Sequence, residues 1–109
     1  MNFEDLKKFI EIEDERLQKC YDYPDKDKRI LARTVKRGEE YGELCDEILS
    51  HTDLQRKEKL MGRDPEHLAE EFADIFIVAM LLAKTMDVDI EKALIKKIEK
   101  IEGRHINNK

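Results

Sequence analysis

Proline and glycine are scarce in this chain, at two and four residues out of 109. So few backbone breakers exclude a loop-rich or hairpin-rich architecture and leave long uninterrupted segments. Cysteine is equally sparse: Cys20 and Cys45 form no metal-spaced pair and are too few for a disulfide scaffold. Both are expected to be reduced and partly buried. No apolar run reaches the roughly 18 residues needed to cross a bilayer. The first residues, "MNFEDLKKFIEIEDE", carry acids where a secretory leader has a basic start and an apolar run, so a cytoplasmic location is expected. There is also no basic excess. Lysine and arginine total 21 against 26 acids, a net charge of −5, with the two signs interleaved. That balance argues against a nucleic-acid or membrane partner.

What the chain does have is charge and apolar residues in comparable amounts, 43% and 40%, with the apolar ones grouped. Grouping supports a core and opposes disorder, and 109 residues suffice for one domain spanning 1–109. Four helical segments are predicted, with no period-two strand pattern. The first runs from Phe3 to about Cys20 and is broken by Pro24. The second runs from about Asp27 to Ser50, with an apolar stripe of Leu31, Val35, Tyr41, Cys45, Ile48 and Leu49. A linker with a short helical piece follows. Asp64 and Pro65 start the third helix as cap and first residue, and it extends to about Met86. The fourth begins after Asp89 and closes near Gly103 and Arg104. The expected fold is all-α, a four-to-five-helix bundle.

The third helix is the most apolar part of the chain. Of the twelve residues from Phe72 to Ala83, only Asp74 is polar. Phe72, Ile75, Phe76 and Ala79 take one side; Ile77, Val78 and Leu81 take the other. Such a helix needs cover all round, more than three companions from one small chain provide. A homodimer or homotetramer that completes the core is therefore expected.

Asp74 shares a face with Glu70 and Glu71, four and three residues earlier. An isolated ionised carboxylate at the edge of a greasy face costs several kcal/mol or takes up a proton. The second helix carries Glu40, Glu43 and Glu47 on one face. If the two helices pack antiparallel, pairs of carboxylates converge, and divalent cations relieve their repulsion. Oxygen-only ligation selects hard ions, Mg²⁺ first, with Mn²⁺ or Ca²⁺ as substitutes. The competing reading of Asp74 is an acid paired with Lys96 or Lys97. Taken singly, Glu39, Glu47 and Glu70 read as a solvated helix face.

These residues also carry a resemblance. "EEYGEL", followed after a linker by "EEFADIFIVAMLLAKTMDVDIEKAL", resembles the MazG-like all-α nucleotide pyrophosphohydrolases. Their signature, Glu-x-x-Glu on one helix and Glu-x-x-Asp on the next, matches Glu40 to Glu43 and Glu71 to Asp74. The second motif begins 28 positions after Glu43, at the long end of the family's range. The resemblance spans about Arg29 to Arg104. It implies Mg²⁺-dependent hydrolysis of a nucleoside triphosphate between its α and β phosphates, giving a monophosphate and pyrophosphate. It further implies that Glu40, Glu43, Glu71 and Asp74 are metal ligands. Glu40, its neighbour Glu39 or Glu43 would orient the attacking water. Lys97 and Arg104 match the phosphate-holding positions of a Lys-x-x-x-Asn-x-x-Arg pattern, in which Ile101 replaces the Asn.

Three alternatives stand beside this reading. A related phosphoribosyl-ATP or dUTP pyrophosphohydrolase would carry similar motifs, although Gly42 in "EEYGEL" favours the MazG side. A non-catalytic dimerisation module would explain the apolar helix but not Asp74. A di-iron bundle needs two Glu-x-x-His motifs, and only Glu102 to His105 qualifies.

Overall fold

Asn2 and Asp5 make a reciprocal cap that starts the first helix. The Asn2 side chain accepts from the Asp5 amide at 2.9 Å, and the Asp5 carboxylate accepts from the Asn2 amide at 3.2 Å. In the computed structural model, which describes residues 1–21, 25–52 and 65–107, α1 spans Phe3–Tyr21. Helix α2 spans Lys26–His51, α3 spans Pro65–Thr85 and α4 spans Ile90–Asn107. The described residues contain no strand, and the fold is all-α. The expected helical piece in the linker and the Asp64 cap lie outside the described residues.

Local chemistry accounts for the boundaries. The Asp25 carboxylate accepts from the Asp27 amide at 2.9 Å, so α2 starts one residue earlier than the sequence pattern suggests. Helix α3 closes with a pair of Schellman bonds, Val88 N–H to Ala83 C=O and Asp87 N–H to Lys84 C=O. Asp87 takes the left-handed position with φ 58°, and its carboxylate meets Lys26 Nζ at 2.6 Å. The Asp89 carboxylate then caps α4 through the Lys92 amide. Gly103 does not end α4, contrary to expectation. Nothing crowds that position and no left-handed residue is required there, so the helix continues to Asn107.

Helices α2 and α3 pack antiparallel. Rising numbers on α2 meet falling numbers on α3: Arg33 reaches Leu81 and Thr85, and Glu47 reaches His67. Helix α1 lies across this pair and seats Ile10 against Met80 and Leu81, with Phe3, Leu6, Leu17, Ile77 and Ile90 packed around them. Beneath the apolar cluster runs a buried polar tie. Arg33 Nη1 contacts Asp14 Oδ1 at 2.6 Å, donates to the Leu81 carbonyl at 3.1 Å and also bonds the Thr85 hydroxyl. This tie joins three helices.

Three expectations about burial need correction. The α2 stripe is not the face turned inward: Leu31, Val35, Tyr41, Ile48 and Leu49 are exposed, and the buried positions are Arg33, Glu40, Leu44, Glu47 and Ser50. Glu47, read singly as a solvated acid, is among the most enclosed, at 3% exposed. Periodicity locates faces, but it does not say which face this chain itself covers. On α3, Leu81 is buried and Ile77 and Val78 are half-buried, whereas Phe72 and Phe76 face out. Cys20 is exposed rather than partly buried; Cys45 is half-buried, and both are free.

Candidate functional site

Helical spacing on two antiparallel helices brings the acids together. Glu40 and Glu43 sit three apart on α2, opposite Glu71 on α3, and one oxygen from each lies within 4.8 Å of the others. Glu40 and Glu71 are buried, while Glu43 is open to solvent. One oxygen of Glu40 accepts from Lys36 Nζ at 3.0 Å. The other, Oε2, is buried with no hydrogen-bond partner among the described residues, and so is Oε2 of Glu71. A buried carboxylate oxygen without a donor is costly, and a proton or a bound cation would relieve that cost. Three carboxylates, two of them with a free buried oxygen, form an oxygen-only donor set of the kind that suits Mg²⁺ or Mn²⁺.

Asp74 stands beside this group rather than within it. It is half-buried, one turn beyond Glu71, on the wall of an adjoining cavity of about 600 Å³. Burial pushes its carboxyl up, with Glu40 and Glu70 adding repulsion; Lys36 opposes them more than His67 does. The basic groups acting on Asp74 are thus Lys36 and His67, not Lys96 or Lys97. Burial also raises the carboxyl of Glu71, helped by Glu43, Asp74 and Glu40 and opposed by His67. Lys36 is itself held protonated above its ordinary value, first by its hydrogen bond to Glu40.

The cavity lies between α1, α2 and α3. Its apolar lining comes from Leu17, Ala32, Val35, Ile77, Val78 and Leu81, and its polar lining from Glu13, Gln18, Arg29, Arg33, Lys36, Glu39, Glu40 and Asp74. The α3 face that follows Asp74 along the sequence is therefore a cavity wall. Lys97 and Arg104 are exposed on α4 and are not among the residues lining it. Helix α4 leaves the bundle after the Asp87 turn; its first turn meets the end of α3 and, through Glu91 and Lys7 at 3.1 Å, also α1.

The sequence reading missed Lys36, Arg29, Arg33 and Asp14 at this site, together with His67. Lys36 was accessible in principle, since it precedes Glu40 by one helical turn. His67 likewise precedes Glu71 by four. Asp14 and Arg33 sit on different helices, and one sequence carries no signal of that contact.

The fold and the site together place the chain among all-α proteins with a carboxylate-lined site between two antiparallel helices. The sequence profile of the MazG nucleotide pyrophosphohydrolase domain matches residues 29–108, most of the chain, and the chain belongs to that family. Neither the curated proteins nor the solved structures provide a match. No helix among the described residues is long and apolar enough to cross a membrane.

Proposed function

We propose that this protein hydrolyses a nucleoside triphosphate, NTP or dNTP, at the α–β phosphate bond, releasing a nucleoside monophosphate and pyrophosphate. The observation that carries the reading is the pair of buried, unpartnered oxygens of Glu40 and Glu71, set in a carboxylate cluster beside a nucleoside-sized cavity. Glu40, Glu43 and Glu71 would hold Mg²⁺, or Mn²⁺ in its place, with Asp74 completing the set from the cavity side. The bound cation supplies the charge neutralisation that lets an acidic site accept a triphosphate. Arg29 and Lys36 line the cavity and would meet phosphate oxygens. Glu40 or Glu43, or Glu39 on the same wall, orients a water toward the α phosphorus and takes its proton. As the new bond forms, the bond to the bridging oxygen breaks and pyrophosphate leaves. Lys97 and Arg104 would join the site only through another copy of the chain. Removing unwanted nucleotides from the pool is a role that fits this reaction.

The test is pyrophosphate release from a panel of NTPs and dNTPs with Mg²⁺, for the native chain and for Glu43→Gln. Monophosphate plus pyrophosphate from the native chain, with Glu43→Gln slower by on the order of a hundredfold, is the expected result. The panel also separates a general pyrophosphohydrolase from one confined to dUTP, and phosphoribosyl-ATP belongs in it. No turnover of any substrate, with no effect of Mg²⁺ on melting, would favour an interaction module instead.

The active form is proposed to be a homodimer or larger homo-oligomer. Among the described residues only Ile10, Leu44, Met80 and Leu81 are buried apolar side chains, whereas Leu31 and Phe76 are 66% and 67% exposed. Leu94, Ile95 and Ile98 add a further apolar run along α4. Exposed apolar surface on this scale marks an interface, and one chain type is enough to form it. Sedimentation velocity should find the native chain as a dimer or tetramer and Phe76→Glu shifted toward monomer. A native chain that is monomeric at assay concentrations would refute the assembly.

A further inference from the structure

Glu47 and His67 lie outside both acidic motifs, yet they adjoin the site. Glu47 is one helical turn beyond Glu43 on α2 and is buried. Its Oε1 is 3.1 Å from Nδ1 of His67 on α3, and its Oε2 is 3.7 Å from Nε2 of His51. His67 is also one turn before Glu71, and its Nε2 is 3.7 Å from Glu71 Oε1. The imidazole therefore sits between a buried acid of α2 and a candidate ligand of α3. It touches only one oxygen of Glu71. The other, Oε2, is the buried oxygen that has no partner.

We propose that Glu47 and His67 act as a positioning pair for Glu71, fixing the imidazole against α2 so that one Glu71 oxygen is braced and the other is presented to the cation. This inference rests on the cation-binding reading of the cluster given above. The physical need is specific to Glu71. Metal binding requires an ionised carboxylate, and Glu71 shares its cluster with Glu40 and Glu43, one oxygen of each lying within 4.8 Å of the others. Nδ1 faces the Glu47 carboxylate and Nε2 faces Glu71 Oε1, so the ring braces both acids when each nitrogen presents an N–H, and the closer Glu47 contact sets its orientation. A carboxylate that orients an imidazole, which in turn steadies a ligand, is a general way of tuning a metal centre from outside its ligand set. Glu47 and His67 would bind neither substrate nor metal.

The test is calorimetric titration of the full chain with Mn²⁺, paired with melting in chelator, for the native protein, His67→Ala, His67→Gln, Glu47→Gln and the His67→Ala/Glu47→Gln double variant. Each of His67→Ala and Glu47→Gln should weaken Mn²⁺ binding by about tenfold or more. The double variant should be no weaker than the worse single one, because the two residues act through one path. His67→Gln keeps an amide that donates to Glu47 and should recover part of the affinity. A merely structural pair would lower melting in chelator and leave Mn²⁺ affinity alone, which would overturn the proposal. So would additive losses in the double variant. Should His67→Ala fail to fold, Glu47→Gln and His67→Gln decide the matter. If the native chain itself bound no Mn²⁺, the reading of the cluster would fall and the positioning role with it. Native binding that the variants leave intact would remove the positioning role alone.

Discussion

Glu71→Gln is expected to abolish turnover while making the metal-free protein more stable. The two effects have one origin. Glu71 is buried, its Oε2 has no hydrogen-bond partner among the described residues, and Glu40 and Glu43 crowd it. In the presence of substrate and Mg²⁺, losing one anionic ligand should slow catalysis roughly a thousandfold, on the order of 4 kcal/mol of transition-state stabilisation. Without metal the charge is a burden, and an amide of the same shape relieves about 1–3 kcal/mol. For a domain of this size that corresponds to several degrees in melting temperature. The pH dependence should change as well. The Glu71 carboxyl is raised by burial and by Glu43, so the folded chain keeps a proton that the unfolded chain has already released. Folded protein thus binds more protons, and stability falls as pH rises from the ordinary glutamate range through the raised value. Asp74 contributes in the same direction, beginning at the ordinary aspartate range. In chelator, Glu71→Gln should flatten its share of that decline. A variant that melts lower than native in chelator would mean that the Glu71 carboxylate is structural, held by His67 rather than waiting for a cation.

This trade is what the sequence made visible. A carboxylate between greasy turns on α3 and a Glu-x-x-Glu on α2 are patterns of period 3.6, and an antiparallel pair with a moderate linker suffices to join them. Most helix bounds were equally legible, because Pro65, Asp89 and the scarcity of breakers act within four residues of where they are read; the Asp25 cap of α2 and the run of α4 past Gly103 were not. Burial on α2 was not. Glu40, Glu47 and Arg33 face α3 while Leu31, Val35 and Tyr41 face out, the reverse of what hydropathy alone suggests. A face that closes against a second copy and a face that closes within the chain have the same periodicity. Lys36 and His67 went unnoticed for a related reason: a base one turn before an acid reads as an ordinary helix pair until a third element converges on it. Lys97 and Arg104 were placed by motif position, and within one chain they are not among the residues lining the cavity.

Arg33→Met is expected to be the most destabilising single substitution away from the acidic cluster. The Arg33 guanidinium meets Asp14 at 2.6 Å, and both side chains are close to fully buried. Truncating the cation strands the Asp14 carboxylate, leaving it only the Gln18 amide at 2.9 Å. The loss should be about 3–5 kcal/mol in urea denaturation. Replacing both partners, as in Asp14→Leu with Arg33→Met, removes the stranded charge and should return most of that stability. If the single substitution cost under about 1 kcal/mol, the pair would be behaving like a solvated one and the tie would not exist. The comparison bears on function because of what α1 contributes. All of it, including Glu13, Leu17 and Gln18 on the cavity wall, precedes the residues matched by the family profile. Arg33 couples that helix to α2 and, through Leu81 and Thr85, to α3 beyond Asp74. The double variant should therefore fold and hold the carboxylate cluster, yet bind nucleotide more weakly, since Gln18 loses the Asp14 contact that orients its amide beside the cavity. A KM that rises while Mn²⁺ affinity stays level would place the wall built by Arg33, Asp14 and Gln18 in nucleoside binding and separate it from the metal site.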